Sequence, residues 1–305
     1  MKGLMIGGRW GLGVACLAVS GAAATAVSQP VGVEVGTSIE ADNTLNLTSL
    51  TVGGSAFTLD GLLNIEVTDF AVATTIPFET ALGGTVDAPA AGAELPAVGE
   101  RAALLEDLAL NTTLNNPSVD TGLVFRFVDA AGTPTPLVNN PGADLVVFEI
   151  SPPAGVTPPS GGPTVLGGDP FTLAALVGGL GRTASFDADD YVQIGPNGFA
   201  SDISFFGPSP GDDPVASLTD LESAALVSLG TFSLNLYAAA VDLSDLGFAP
   251  GDEVLAFSLT SVGPSGFGAD PSLIVGLVPE PSGLTLVAGL GLMASGVRRR
   301  RGGQA

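Results

Sequence analysis

The sequence predicts a mainly β protein, a jelly-roll-like β-sandwich, on three observations. Apolar and polar residues alternate in short runs rather than at helical spacing. Turn formers separate those runs, with 43 glycines and 23 prolines in 305 residues. One convincing internal helix is expected, at residues 100–110, where Leu104, Leu105 and Leu108 share a face. Many short strands with few helices pack as two facing sheets.

In chain order, strands are expected at residues 31–35, 44–52, 57–62, 65–72, 122–128, 145–150, 200–206, 231–237, 254–262 and 273–276. The segment 231–237 sets Phe232, Leu234 and Leu236 on one side, with Ser233 and Asn235 opposite. The run Leu145-Val146-Val147-Phe148 is continuous and reads as a strand buried on both faces. Asn197-Gly198 is a tight-turn signal. Residues 152–170, dense in proline and glycine, form a long loop or a boundary between halves.

The N-terminus carries a positive stretch with Lys2 and Arg9, an apolar run at 10–19, and the small-x-small triplet Ala24-Thr25-Ala26. This pattern predicts a secretory signal peptide over residues 1–26, cleaved after Ala26. Cleavage would remove the sole cysteine, Cys16, and the sole tryptophan, Trp10. The mature chain would then hold no disulfide.

Residues 27–277 form the expected acidic ectodomain. Thirty of the 31 acidic residues lie between Val27 and Pro279, against Arg101, Arg126 and Arg182, a net charge of −27. Such a body repels phosphate backbones, so nucleic acid is excluded as a partner. It suits solubility outside the cell, with divalent cations as counter-ions. Hydrophobic residues at 46% and charged residues at 13% argue for a packed core rather than disorder.

The last segment, 278–305, has three parts in order. Val278-Pro279-Glu280-Pro281 is held extended by its prolines. Residues 282–297 carry no charge and as a helix would reach about 24 Å, against a hydrocarbon core of about 30 Å. Arg298, Arg299, Arg300 and Arg301 then supply a cytoplasmic stop, and their long stems reach over the missing length. A transmembrane helix with the arginines inside is therefore expected.

This order of features resembles the PEP-CTERM sorting signal of Gram-negative bacteria, over residues 278–301. The resemblance implies that Val278, Pro279, Glu280 and Pro281 are read by an exosortase, a membrane protease-transpeptidase. It also implies export, membrane anchoring before processing, and release or transfer to the cell surface or extracellular matrix. These residues would be substrate features, not catalytic groups. Two internal phrases, running from Gly142 to Glu149 and from Asp242 to Gly247, also resemble phrases recurring in PEP-CTERM surface proteins. No activity comes with them.

The inventory of reactive groups removes most chemistries. There is no histidine, which excludes Ser-His-Asp and Cys-His systems and His-ligated metals. No phosphate-cradling GxxxxGK[ST] or GxGxxG loop occurs. Paired carboxylates suffice for a glycosidase, but sugar platforms are scarce, with Tyr191 and Tyr237 the sole tyrosines. The chain is therefore expected not to be an enzyme. Calcium is the one candidate ion. Asp187, Asp189 and Asp190 crowd one loop, Asp212-Asp213 follow a Pro-Gly turn, and Asp144 and Glu149 flank a strand. Calcium takes hard oxygen ligands, yet aspartate is equally favoured in turns. The glycine and distal glutamate of an EF-hand are missing after Asp187.

Two functions from different classes follow. One is a structural or adhesive surface protein, delivered to an exopolysaccharide matrix. The other is a secreted carbohydrate-binding or carbohydrate-active module. A mature chain without tryptophan favours the first.

Overall fold

The computed structural model describes residues 25–26, 32–39, 45–70, 78–82, 84–85, 88–89, 110, 112–114, 122–151, 170–177, 180–187, 190–194, 203–208, 226–232, 235–261 and 271–278. Outside them lie the expected signal peptide apart from Thr25 and Ala26, the expected helix apart from Leu110, and the proline-rich residues 152–169 expected as a loop or boundary. So do Asn197-Gly198, Asp212-Asp213 and the tail from Pro279 onward. Among the described residues no helix is long and apolar enough to cross a membrane.

The first strands are β1 (Thr25–Ala26), β2 (Val33–Ile39), β3 (Leu45–Val52), β4 (Ser55–Phe57) and β5 (Leu62–Phe70). Next come β6 (Phe78–Leu82), β7 (Gly84–Thr85), β8 (Ala88–Pro89), β9 (Thr112–Leu114) and β10 (Leu123–Val128). The middle of the chain supplies β11 (Leu137–Val138), β12 (Leu145–Ser151), β13 (Phe171–Val177), β14 (Leu180–Phe186) and β15 (Val192–Gln193). The remainder are β16 (Ile203–Pro208), β17 (Leu226–Phe232), β18 (Asn235–Val241), β19 (Glu253–Val254), β20 (Phe257–Ser261) and β21 (Pro271–Leu277).

Ten of these join one sheet in the order β1-β14-β13-β20-β10-β5-β21-β12-β18-β15. All its pairings are antiparallel except the short β1–β14 pair. The sheet curls back on itself. Phe171 of β13 meets Tyr191, next to β15 at the far end of the strand order, with ring centroids 6.0 Å apart. A mainly β, sandwich-like body is what the alternating pattern predicted.

Alternation explains the inner core. In β10 the buried Leu123, Phe125 and Phe127 point inward while Val124 and Arg126 point out. Phe125 stacks on Phe257 at 5.6 Å, and Phe127 meets Phe125 edge-on at 5.7 Å. Leu173, Ala184, Ala239 and Ile274 extend the same cluster. A second core lies on the opposite face of β21, β12 and β18, where the β2-β3-β4 sheet covers it with Val33, Leu47, Leu50 and Val52. Strand β12 serves both cores. Leu145 and Val147 enter the first, Val146 and Phe148 the second. Burial on both faces is why that run lacks alternation.

Some expected strands are corrected. The segment 57–62 is not one strand: β4 ends at Phe57 and Leu59–Gly61 make a 3-10 turn, closed by the Gly61 N–H on the Thr58 carbonyl at 3.0 Å. Asp60-Gly61 is turn chemistry that outweighs its apolar neighbours. The segment 231–237 is shared between the end of β17 and the start of β18, which belong to different sheets. The segment 254–262 is likewise divided between β19 and β20. The β13–β14 hairpin is not among the expected strands, and Leu and Ala in its first strand are intrinsically helix formers. Full pairing from Phe171↔Phe186 to Val177↔Leu180 overrides that preference.

Candidate functional site

The richest polar constellation joins the β11–β12 connection to the segment after β18. Asn139, buried, donates through Nδ2 to the Phe248 carbonyl at 2.9 Å. Its own N–H reaches the Asp252 carbonyl at 2.9 Å, and the Gly251 N–H returns to the Asn139 carbonyl at 2.8 Å. The Asp144 carboxylate is fully buried and accepts the Asn140 N–H at 2.8 Å and the Leu243 N–H at 2.9 Å. The two phrases singled out in the sequence, around Asp144 and around Leu243, therefore meet at this carboxylate. Sequence reasoning weighed Asp144 as a calcium ligand and did not consider Asn139. The turn-rich string Asn139-Asn140-Pro141-Gly142 was the available signal.

Burial pushes the Asp144 carboxyl up to about 6 from its usual 3.8, against the opposing pull of the two N–H groups, and nearby Asp242 adds to the rise. The folded protein thus holds this proton more tightly than the unfolded chain. Its contribution to stability is fully present below about 3.8 and is lost as pH rises through about 6. The difference corresponds to roughly 3 kcal/mol. Asp129 has the opposite sign: the Thr133 N–H holds it low, so its contribution is lost only on acidification below 3.8. We therefore expect the melting temperature to rise as pH falls from 7 to about 4.5. Asp144→Asn should flatten part of that rise. An identical pH profile in wild type and variant would contradict the assignment.

The remaining described aspartates mostly close turns. Asp129 Oδ1 accepts the Ala131 and Thr133 N–H groups at 2.9 and 2.8 Å. Asp242 Oδ1 accepts Ser244 N–H at 2.7 Å, and Asp252 Oδ2 accepts Ala249 N–H at 2.8 Å. The calcium candidate behaves alike. Asp190 Oδ2 accepts the Asp187 N–H at 2.7 Å, while the Asp190 N–H bonds the Asp187 carbonyl at 3.0 Å. Asp189 lies outside the described residues. Among those described, no group of three or more metal-competent side chains comes together. Asp144 and Glu149 are both fully buried, but five residue steps of extended chain set them about 16 Å apart, so they do not share an ion.

The described arginines of the body are engaged. Arg126 forms a bidentate pair with Glu66 at 2.8 and 2.9 Å. Arg182 donates to the Gly247 carbonyl and lies 4.3 Å over the Phe248 ring. The recess between Ile65, Leu123, Pro271, Leu273 and Ile274 is apolar and has no room for a water-sized molecule. The sorting residues Pro279, Glu280 and Pro281 and the Arg298–301 cluster lie outside the described residues; Val278, just before them, is exposed.

No family model matches the chain, and no curated protein matches it. Among solved structures, the infectious bursal disease virus VP2 subviral particle aligns over 90% of this chain and 86% of that one. It does so at 11% identity and a TM-score of 0.10, so it carries no argument about fold or function.

Proposed function

We propose that this chain is an exported structural or adhesive protein of the cell surface or extracellular matrix, sorted by a PEP-CTERM-type tail. The observation that carries the reading is the order of features at residues 278–301: a proline-locked motif, an uncharged run, then four arginines. A signal peptide over 1–26, a transmembrane helix over 282–297 and a jelly-roll arrangement of the body belong to the same proposal. The body supports it by what its acids do. Asp129, Asp242 and Asp252 close their own turns and Asp144 fills a buried clamp, so these acids stabilise a body whose net charge stays strongly negative. An exosortase is the processing partner, and no catalytic role is assigned to the body.

Topology is the first test. Replacing Arg298, Arg299, Arg300 and Arg301 by serine removes the cytoplasmic charge that holds the tail across the bilayer. Membrane retention and processing should fall severalfold in a fractionation assay. A body protected from external protease in intact spheroplasts and digested only on lysis would contradict export.

A further inference from the structure

We propose that the outward face of β14, β13 and β20 is a binding surface for a neutral polysaccharide chain. The three strands are adjacent in the sheet. Their inward positions fill the core with Phe171, Leu173, Ala184, Phe186, Phe257 and Leu259. Their outward positions are the half-buried Thr172, Ala174, Thr183, Ser185, Ser258 and Thr260, with the exposed Leu176 at the end of β13. Register sets them in rows. Ser185 lies beside Thr172 and Thr172 beside Thr260, while Thr183, Ala174 and Ser258 form the next row. The Thr172 and Ser185 hydroxyls are 3.1 Å apart, which ties neighbouring strands at the surface. With strands about 4.8 Å apart and same-face residues about 6.7 Å apart, the result is a regular grid of hydroxyl and methyl groups on the outside of the curled sheet.

Charge chooses the partner. None of these three strands contains an acidic residue, although the body as a whole stands at −27. Their one base, Arg182, is spent on Gly247 and Phe248. The face gives a cation nothing to bind, and the surrounding charge repels anionic polymers and further copies of the chain. Serine and threonine hydroxyls both donate and accept, matching the hydroxyls of an uncharged glycan, and the methyl groups cover its C–H faces. Such a grid suits a chain lying across several strands, each contact weak and the sum useful.

The inference rests on the matrix reading above, and the test separates the two. The full-length protein, purified in detergent, is titrated with cellulose and dextran as neutral glucans and with alginate as an anionic control. Saturable binding to a neutral glucan, absent with alginate, is expected. The double variant Thr172→Glu/Ser258→Glu should weaken it at least tenfold, whereas Ala131→Glu, on the exposed Asp129 turn, should not. Melting curves establish that each variant is folded, and Thr183→Lys serves if the double variant is not. No saturable binding, or binding untouched by the face variants, overturns the inference. So does self-association abolished by the same variants, which would assign the face to a second copy. An exported protein that ignores neutral glucans sinks this inference alone; a cytoplasmic protein that binds them sinks the export reading alone.

Discussion

Phe148→Ala should cost about 3–5 kcal/mol of unfolding free energy. Phe148 is fully buried and lies in the second core, on the face of β12 covered by the β2-β3-β4 sheet. Its neighbours across the sheet, Ala238 and Leu273, are held in register by pairings on both sides. They cannot collapse into the space without breaking those ladders, so most of the cavity would persist. Urea denaturation followed by circular dichroism measures the loss, with Val124→Ala on the half-buried outer side of β10 as the comparison. That second change should cost under about 1 kcal/mol. Equal costs for the two would contradict the two-core arrangement.

Gly122→Ala should be as damaging, for a backbone reason. Gly122 enters β10 at φ +63, a conformation that side chains other than glycine rarely adopt. A Cβ there would stand 2.1 Å from the Leu259 carbonyl oxygen and 2.8 Å from Thr260 Cγ2. The first of these is backbone of the neighbouring strand, paired Leu123↔Leu259. It has nowhere to go without opening the β10–β20 ladder. A loss of roughly 4 kcal/mol or more is expected, seen as insoluble expression or a collapsed melting temperature. An unchanged melting temperature would contradict that strand pairing.

The sequence was legible where a residue's neighbours in the chain are also its physical context. The run Leu145–Phe148 announced burial on both faces because each of its side chains is apolar. It was misleading where periodicity continued through a change of partner. Phe232 and Leu236 keep the right spacing for one strand yet belong to different sheets, since alternation records a face and not which sheet owns it. Asp60-Gly61 was the local turn signal that apolar neighbours masked. The Asp144 clamp and the hydroxyl grid were legible least of all. Asp144 and Leu243 meet across 99 positions, and Thr172 and Thr260 across 88. No local window contains both partners. The aspartates of the turns show the converse. Acid clusters look alike in sequence whether they bind an ion or cap their own backbone, because a local window does not show where the N–H groups lie.

The central claim is that the chain is exported and sorted through its tail, and intact-mass analysis of the surface-exposed form tests it most directly. An N-terminus at Val27 and a C-terminus short of Arg298 are expected, because residues 1–26 are read as a signal peptide and 278–301 as a sorting tail, both removed in processing. Pro279→Ala with Pro281→Ala should release the lock on the extended motif and leave the tail uncut. A protein recovered from the cytoplasm with Met1 and Arg298 to Arg301 all in place would contradict the account.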